Sequence, residues 1–472
     1  MLHLFDQSLT GNRHAGSRFG SRRHFLSVGS LLAGGLTLEQ MCQAGATAGN
    51  GSLLRDKSVV FLFMHGGPSQ FETFDPKMDA PVEIRSTTGE VQTNLPGVTF
   101  GGTFERLSTM ADRLAIVRSF TTGDSRHDIK PIVHKSTNDA NLGTLYSRIA
   151  GAHHPNTGMP RNVALFPQAV APEAQPTTMN FGKFGSSGNY SAALAPFAPG
   201  AGGNLQDDMQ LSIPLRRLND RRKLLTELDQ LRWQRDRSDS ASRQTPFRQQ
   251  AFETILGGLA DAFDLKQEDP RTLARYDTSP IARPENISKK WKNYQNYVDN
   301  GQTLGKLLLL SRRLCERGAG FVTITTNFVW DMHADVNNAG VAEGMRYMGR
   351  PFDHAVSAFL EDVHERGLSD KILLVCCGEM GRTPRINKNG GRDHWGNLAP
   401  LILAGGGLPM GQVIGESSRD GSVPKSKPIT IENLVATILK TLVDPGILRL
   451  EPDVPREILQ AASEWESIRE LI

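Results

Sequence analysis

Short, unbroken apolar runs, each followed at once by glycines and charged residues, set the pattern of this chain. They occupy 57–64 (KSVVFLFM), 114–117, 163–166, Phe321–Thr325, Ile372–Cys377 and 400–404. Runs of four to eight apolar residues are long enough for a buried strand and too short for a core helix. Because 59–64, Phe321–Thr325 and Ile372–Cys377 are continuously apolar rather than alternating, they are expected to be central, parallel and covered on both faces. Between the runs the apolar spacing turns helical. Helices are expected at 214–237, 249–263, 301–317, 352–366 and Ile431–Leu442. Gly318 and Gly367 stand where two of these should stop. The stretch 269–285, with Pro270, Pro280 and Pro284, reads as loop, and 151–203 reads as glycine- and proline-rich coil. Strand and helix alternation of this kind predicts an α/β fold, a doubly wound and mostly parallel sheet with helices on both faces. A single domain over 49–472 is expected.

Composition narrows the function. Lys and Arg number 53 against 50 Asp and Glu, a net charge of +3, so no basic face is implied and nucleic acid is not an expected partner. The four cysteines cannot make a disulfide framework: Cys42 precedes the first strand, Cys315 lies in an expected helix, and Cys376 and Cys377 are adjacent. At the N-terminus, Arg22-Arg23 precede a weakly apolar run and small residues with A-x-A spacing at 44–48. Residues 1–48 therefore read as a twin-arginine signal peptide and leader, used by the twin-arginine translocase. That run is too short and polar to stay in a bilayer, so no stable membrane span is expected in the mature chain, and its location is expected to be periplasmic or extracellular.

Candidate chemistry lies just past the apolar runs, where an open α/β sheet builds ligand sites. His65 follows the first run. Thr121, Thr122, Ser125, Arg126 and His127 follow the second, Asp331 and His333 follow Phe321–Thr325, and Glu379, Arg382, Asp393 and His394 follow Ile372–Cys377. Imidazole with carboxylate suits zinc or another first-row divalent metal, whereas carboxylate and water suit magnesium or calcium. His134, His153, His154, His354 and His364 are read as ordinary loop or helix-face residues.

Four motifs, HGGPSQFETFDPK at 65–77, WDMHAD at 330–335, GEMGRTPRIN at 378–387 and GRDHW at 391–395, resemble domain-of-unknown-function family 1501. That family is exported, often called sulfatase-like, and belongs to the alkaline phosphatase and sulfatase superfamily. The resemblance implies an alkaline-phosphatase-like fold with divalent metal ligands on loops after the strands. By it Asp331, His333 and His394 form one metal set, Glu379 stands in the second, and His65 takes a position usually held by an aspartate. The sulfatase nucleophile motif, Cys or Ser followed by x-Pro-x-Arg, is absent after Val117. The expectation is a metal-dependent hydrolase of a phosphate or sulfate ester, either a small molecule or a polysaccharide. His127 would shuttle a proton, and Arg382 or Arg126 would hold the anion. The alternative is an exported binding or assembly protein that keeps the fold without turnover.

Overall fold

The structure is a computed structural model and describes residues 52–179, 181–199 and 259–472, together with 217, 220, 221, 223 and 224. The leader at 1–48, nearly all of the expected helix 214–237 and most of 249–263 lie outside the described residues.

In chain order the strands are β1 (Ser58–Phe63), β2 (Glu90–Gln92), β3 (Thr99–Gly101), β4 (Ala115–Val117), β5 (Asn162–Leu165), β6 (Phe321–Thr325), β7 (Ile372–Cys377), β8 (Gly381–Arg382), β9 (His394–Trp395), β10 (Leu401–Gly405) and β11 (Gln412–Ile414). The longer helices are α1 (Leu142–Ala150), α2 (Pro270–Tyr276), α3 (Tyr294–Glu316), α4 (Val341–Glu365) and α5 (Ile431–Leu442). Among the described residues the main sheet has seven strands in the order β11-β4-β10-β7-β1-β6-β5. The central β1 pairs in parallel with β6 and β7, Val59 facing both Phe321 and Leu373. Only β10 runs against its neighbours, antiparallel to β7 and β4.

Both faces of this sheet are covered. Val60, Leu62, Val322, Ile324, Leu374 and Cys376 point into one core with the leucines of α3 and the apolar side of α4. Their alternates Val59, Phe61, Phe63, Phe321, Leu373, Val375 and Cys377 point into a second core with α1 and α5. Apolar residues fill both faces of these strands because each face has its own helical layer, with Thr323 and Thr325 of β6 as buried polar exceptions. Cys315, Cys376 and Cys377 are buried and unbonded. No described helix is long and apolar enough to cross a membrane.

Three helices depart from the sequence pattern. α2 falls in the expected loop at 269–285: Pro270 occupies its first turn, and Asp269 caps it by accepting from the Thr272 amide. α3 begins at Tyr294 rather than 301, because its first two turns bury Tyr297, Asp299 and Asn300 and lack a leucine pattern. α4 begins at Val341 rather than 352 and runs straight through Pro351. Proline cannot donate to the carbonyl four residues back, here that of Tyr347. Asn300 Nδ2 donates to this oxygen instead, at 3.4 Å.

Candidate metal centre

Parallel pairing of β6, β1 and β7 brings the chain after each strand to one edge of the sheet. Gly66, just past β1, turns at φ +114°, and a Cβ there would lie 2.6 Å from the Asp331 amide nitrogen. Only glycine admits this approach. The Gly66 amide donates to Glu379 Oε1 at 2.9 Å, and the Trp330 amide donates to the His65 carbonyl at 3.1 Å, so the three strand ends are tied together. Gly391 lies so close to the His333 carbonyl that a side chain would collide with it.

His127, Asp331, His333 and His394 meet at this edge, each with a donor atom within 4.8 Å of the others. From Asp331 Oδ1 the distances are 2.9 Å to His333 Nε2, 3.2 Å to His394 Nε2 and 3.6 Å to His127 Nε2. His333 Nε2 and His394 Nε2 are 2.7 Å apart. Ligands about 2.1 Å from a tetrahedral ion stand about 3.4 Å from one another. Three imidazole nitrogens and one carboxylate oxygen gathered this closely could hold a divalent first-row ion, whose entry would open the two shortest spacings, 2.7 and 2.9 Å.

Carboxylates behind the imidazoles set their orientation. Glu379 Oε1 lies 2.9 Å from His127 Nδ1, and Asp393 Oδ1 lies 3.2 Å from His333 Nδ1. An ionised carboxylate can only accept, so with an ion bound each Nδ1 would carry the proton and each Nε2 would be free to turn its lone pair to the centre. Burial alone would lower the pKa of His127, but Asp331 and Glu379 outweigh it and hold it above the ordinary value. Burial lowers that of His394 despite its bond to Asp331. Burial would raise Asp331, yet Arg382 and the three imidazoles hold it well below the usual carboxylate range.

Arg382 is fully buried and has no donor to spare. Its Nε donates to the Gly67 carbonyl at 2.7 Å, Nη1 to the Arg392 carbonyl at 3.2 Å and to His333 Nε2 at 3.4 Å, and Nη2 to the Gly66 carbonyl and to Asp331 Oδ1, the latter at 2.7 Å. This side chain therefore braces the centre rather than reaching for an anion. Arg126 is its opposite: 82 % exposed and paired with Asp124 at 3.0 Å.

Asp331, His333 and His394, which the resemblance groups as one metal set, lie near one another, and His127, for which a proton-shuttling role was expected, lies with them. Glu379 stands behind His127 instead of in the cluster. His65 also stays out of it. It is 1 % exposed, boxed by Phe63, Phe181, Phe184 and Phe328, and its Nε2 finds no hydrogen-bond partner among the described residues. Burial in that box lowers its pKa to about 4, so it is neutral. Thr121 donates to the Gly396 carbonyl at 3.0 Å, and Ser125 Oγ accepts from the Gly396 amide at 2.9 Å.

Two groups that hold the site together escape sequence reasoning. Buried Lys130 donates to Asp124 Oδ1, Asp128 Oδ1 and the Arg126 carbonyl at 2.8–3.0 Å, which fixes the loop carrying His127. Arg392 makes a bidentate pair with Glu72, both bonds 3.1 Å, and so ties the His394 loop to the segment after β1. Nothing in the local sequence of either marks its partner. The one available signal was that Glu72 and Arg392 both fall inside quoted motifs.

No curated protein matches the chain. Solved structures similar to it include a sulfatase from Pseudoalteromonas sp., at 13 % identity and a TM-score of 0.34, covering 91 % of this chain and 76 % of the other. Another is a phosphonate monoester hydrolase from Silicibacter pomeroyi, at 10 % identity and a TM-score of 0.33, covering 82 % and 73 %. A third is the lipoteichoic acid synthase LtaP from Listeria monocytogenes, at 8 % identity and a TM-score of 0.33, covering 87 % and 78 %. Likenesses this distant carry no weight for the chemistry. The family profile described as "Protein of unknown function (DUF1501)" matches residues 56–445, most of the chain and all four motifs, and the chain belongs to that family.

Proposed function

We propose that this chain is an exported, metal-dependent hydrolase of phosphate or sulfate esters. The observation that carries the reading is the convergence of His127, Asp331, His333 and His394 on one point at the carboxyl edge of a parallel sheet. The side chains of His333 and His394 are 21 % and 26 % exposed, which leaves the centre an open side for an ester. A divalent cation bound there would polarise the ester oxygen and lower the pKa of a water molecule. The chain's own part is positional. Glu379 and Asp393 keep the Nδ1 protons in place, Arg382 balances the charge of Asp331, and exposed Arg126 has guanidinium donors to offer an anion. Since the hydroxyls of Thr121 and Ser125 are engaged with Gly396 and that of Thr122 with the Asp124 carbonyl, water is the nucleophile this reading selects.

A second reading is a binding or assembly protein without turnover. It is favoured by the contact between Arg382 and Asp331, which already neutralises the carboxylate. The two separate in an assay of zinc-loaded protein against aryl phosphates and aryl sulfates. Turnover abolished by chelation and restored by zinc is expected, and stable loaded protein with no turnover on either panel would favour the binder. Export rests on the N-terminal sequence, Arg22-Arg23 followed by a weakly apolar run and A-x-A spacing at 44–48, and on the family resemblance. Replacing both arginines with lysine should hold the protein in the cytoplasm, and unchanged export from a strain lacking the twin-arginine translocase would defeat this part of the proposal.

A further inference from the structure

We propose that the stacked side chains of Phe181 and Phe328 form a platform for the ring of a substrate, selecting esters of cyclic alcohols, aryl or sugar, over small acyclic ones. The ester part of this inference rests on the hydrolase reading, while the ring-binding part stands on its own geometry.

The two rings lie nearly parallel, with centroids 4.5 Å apart and planes 14° from one another. Phe328 is 4.4 Å and Phe181 5.1 Å from the His127 ring, so the stack abuts a residue of the candidate metal centre. Beneath them Phe184 and His65 are fully buried, whereas Phe181 and Phe328 are only half-buried. The pair is thus the outer layer of an aromatic cluster, at the lip of the open side.

The pair is also held in place from behind. Phe328 follows β6 and sits at φ +31°, a region that residues with a Cβ enter at a cost. Such backbone is retained where its surroundings over-determine it, often beside functional sites. Asn327, buried, ties the two loops together: its Oδ1 accepts from the Thr178 amide at 3.1 Å, and its Nδ2 donates to the carbonyls of Gln175 and Pro176 at 3.3 and 3.0 Å. Asp299 on α3 secures the same loop by accepting from the Gln175 amide at 2.7 Å. A ring stack that served only the core would be covered. This one is anchored by buried polar groups and left partly open beside the centre, which suits the flat apolar face of a ring.

The test is a binding titration with three phosphonates that cannot be hydrolysed as esters: phenylphosphonate, a C-glucosyl phosphonate and methylphosphonate, each with and without zinc. Wild type should prefer a ring-bearing probe to methylphosphonate by about three- to ten-fold, the size of one aromatic contact. Preference for phenylphosphonate alone identifies an aryl group, and preference for both probes identifies rings in general. Phe181→Leu and Phe328→Leu should each bring the ratio close to one, with zinc affinity and methylphosphonate binding unchanged. If Phe328→Leu does not fold, judged by thermal denaturation, Phe181→Leu decides. No ring preference in wild type, or a preference that survives both substitutions, overturns the platform. Absence of turnover on every ester defeats the hydrolase reading but not a ring preference seen in these titrations.

Discussion

Glu379 reaches His127 from behind, 2.9 Å from Nδ1, while its other contacts go to the Gly66 amide. Its work is to fix a tautomer and an orientation, and such partners change metal affinity without touching the ion. Glu379→Gln should therefore weaken zinc binding by roughly 10- to 100-fold. Arg126→Ala, at a side chain 82 % exposed, should leave it unchanged. A competition titration with a chromophoric chelator reads both, and equal affinities would remove Glu379 from the site. At this scale the sequence supplies residue types but not roles. Asp331 and His333 are two apart and follow one strand, so their partnership is legible. Whether His127 is a ligand or a proton carrier depends on the buried knot around Lys130, which no local spacing encodes.

Among the elements, the strands were the most legible, because burial on both faces favours apolar residues at consecutive positions, Thr323 and Thr325 of β6 being the exceptions. Helix limits were less so. Pro270, which read as a loop marker, proved to lie at the start of α2, and Pro351 lies within α4, ahead of the expected start at 352. In α4 the defect of Pro351 is offset from outside, by Asn300 Nδ2 on α3 donating to the Tyr347 carbonyl. An offset supplied by another helix cannot be read from the helix that needs it. Asn300 is fully buried, so Asn300→Ala leaves that oxygen without its donor and opens a small void. A loss of about 1–3 kcal/mol is expected in urea denaturation, with the metal centre intact. A loss below about 0.5 kcal/mol, the range of ordinary surface substitutions, would show that α4 tolerates Pro351 without this bond.

In the whole molecule, a sheet with all strands but β10 running one way places loops from β1, β4, β6 and β7 where their side chains can meet. That arrangement follows from the alternation of strands and helices, and so was legible. The reversed β10 was not, since an apolar run carries no direction. Nor was the exclusion of His65, which depends on Phe181, Phe184 and Phe328, rings far from it in sequence. The central claim is that four side chains from three of these loops hold one divalent ion. The most direct measurement is zinc stoichiometry and affinity of the folded protein, compared among wild type, Asp331→Ala, His394→Ala and His354→Ala. His354 lies on α4, bonded to Arg106 and to the Arg275 carbonyl, apart from the centre. Wild type and His354→Ala should bind one zinc per chain with equal affinity, while Asp331→Ala and His394→Ala should each lose at least about 100-fold. Equal affinity in all four proteins, or no zinc bound by folded wild type, would contradict the account.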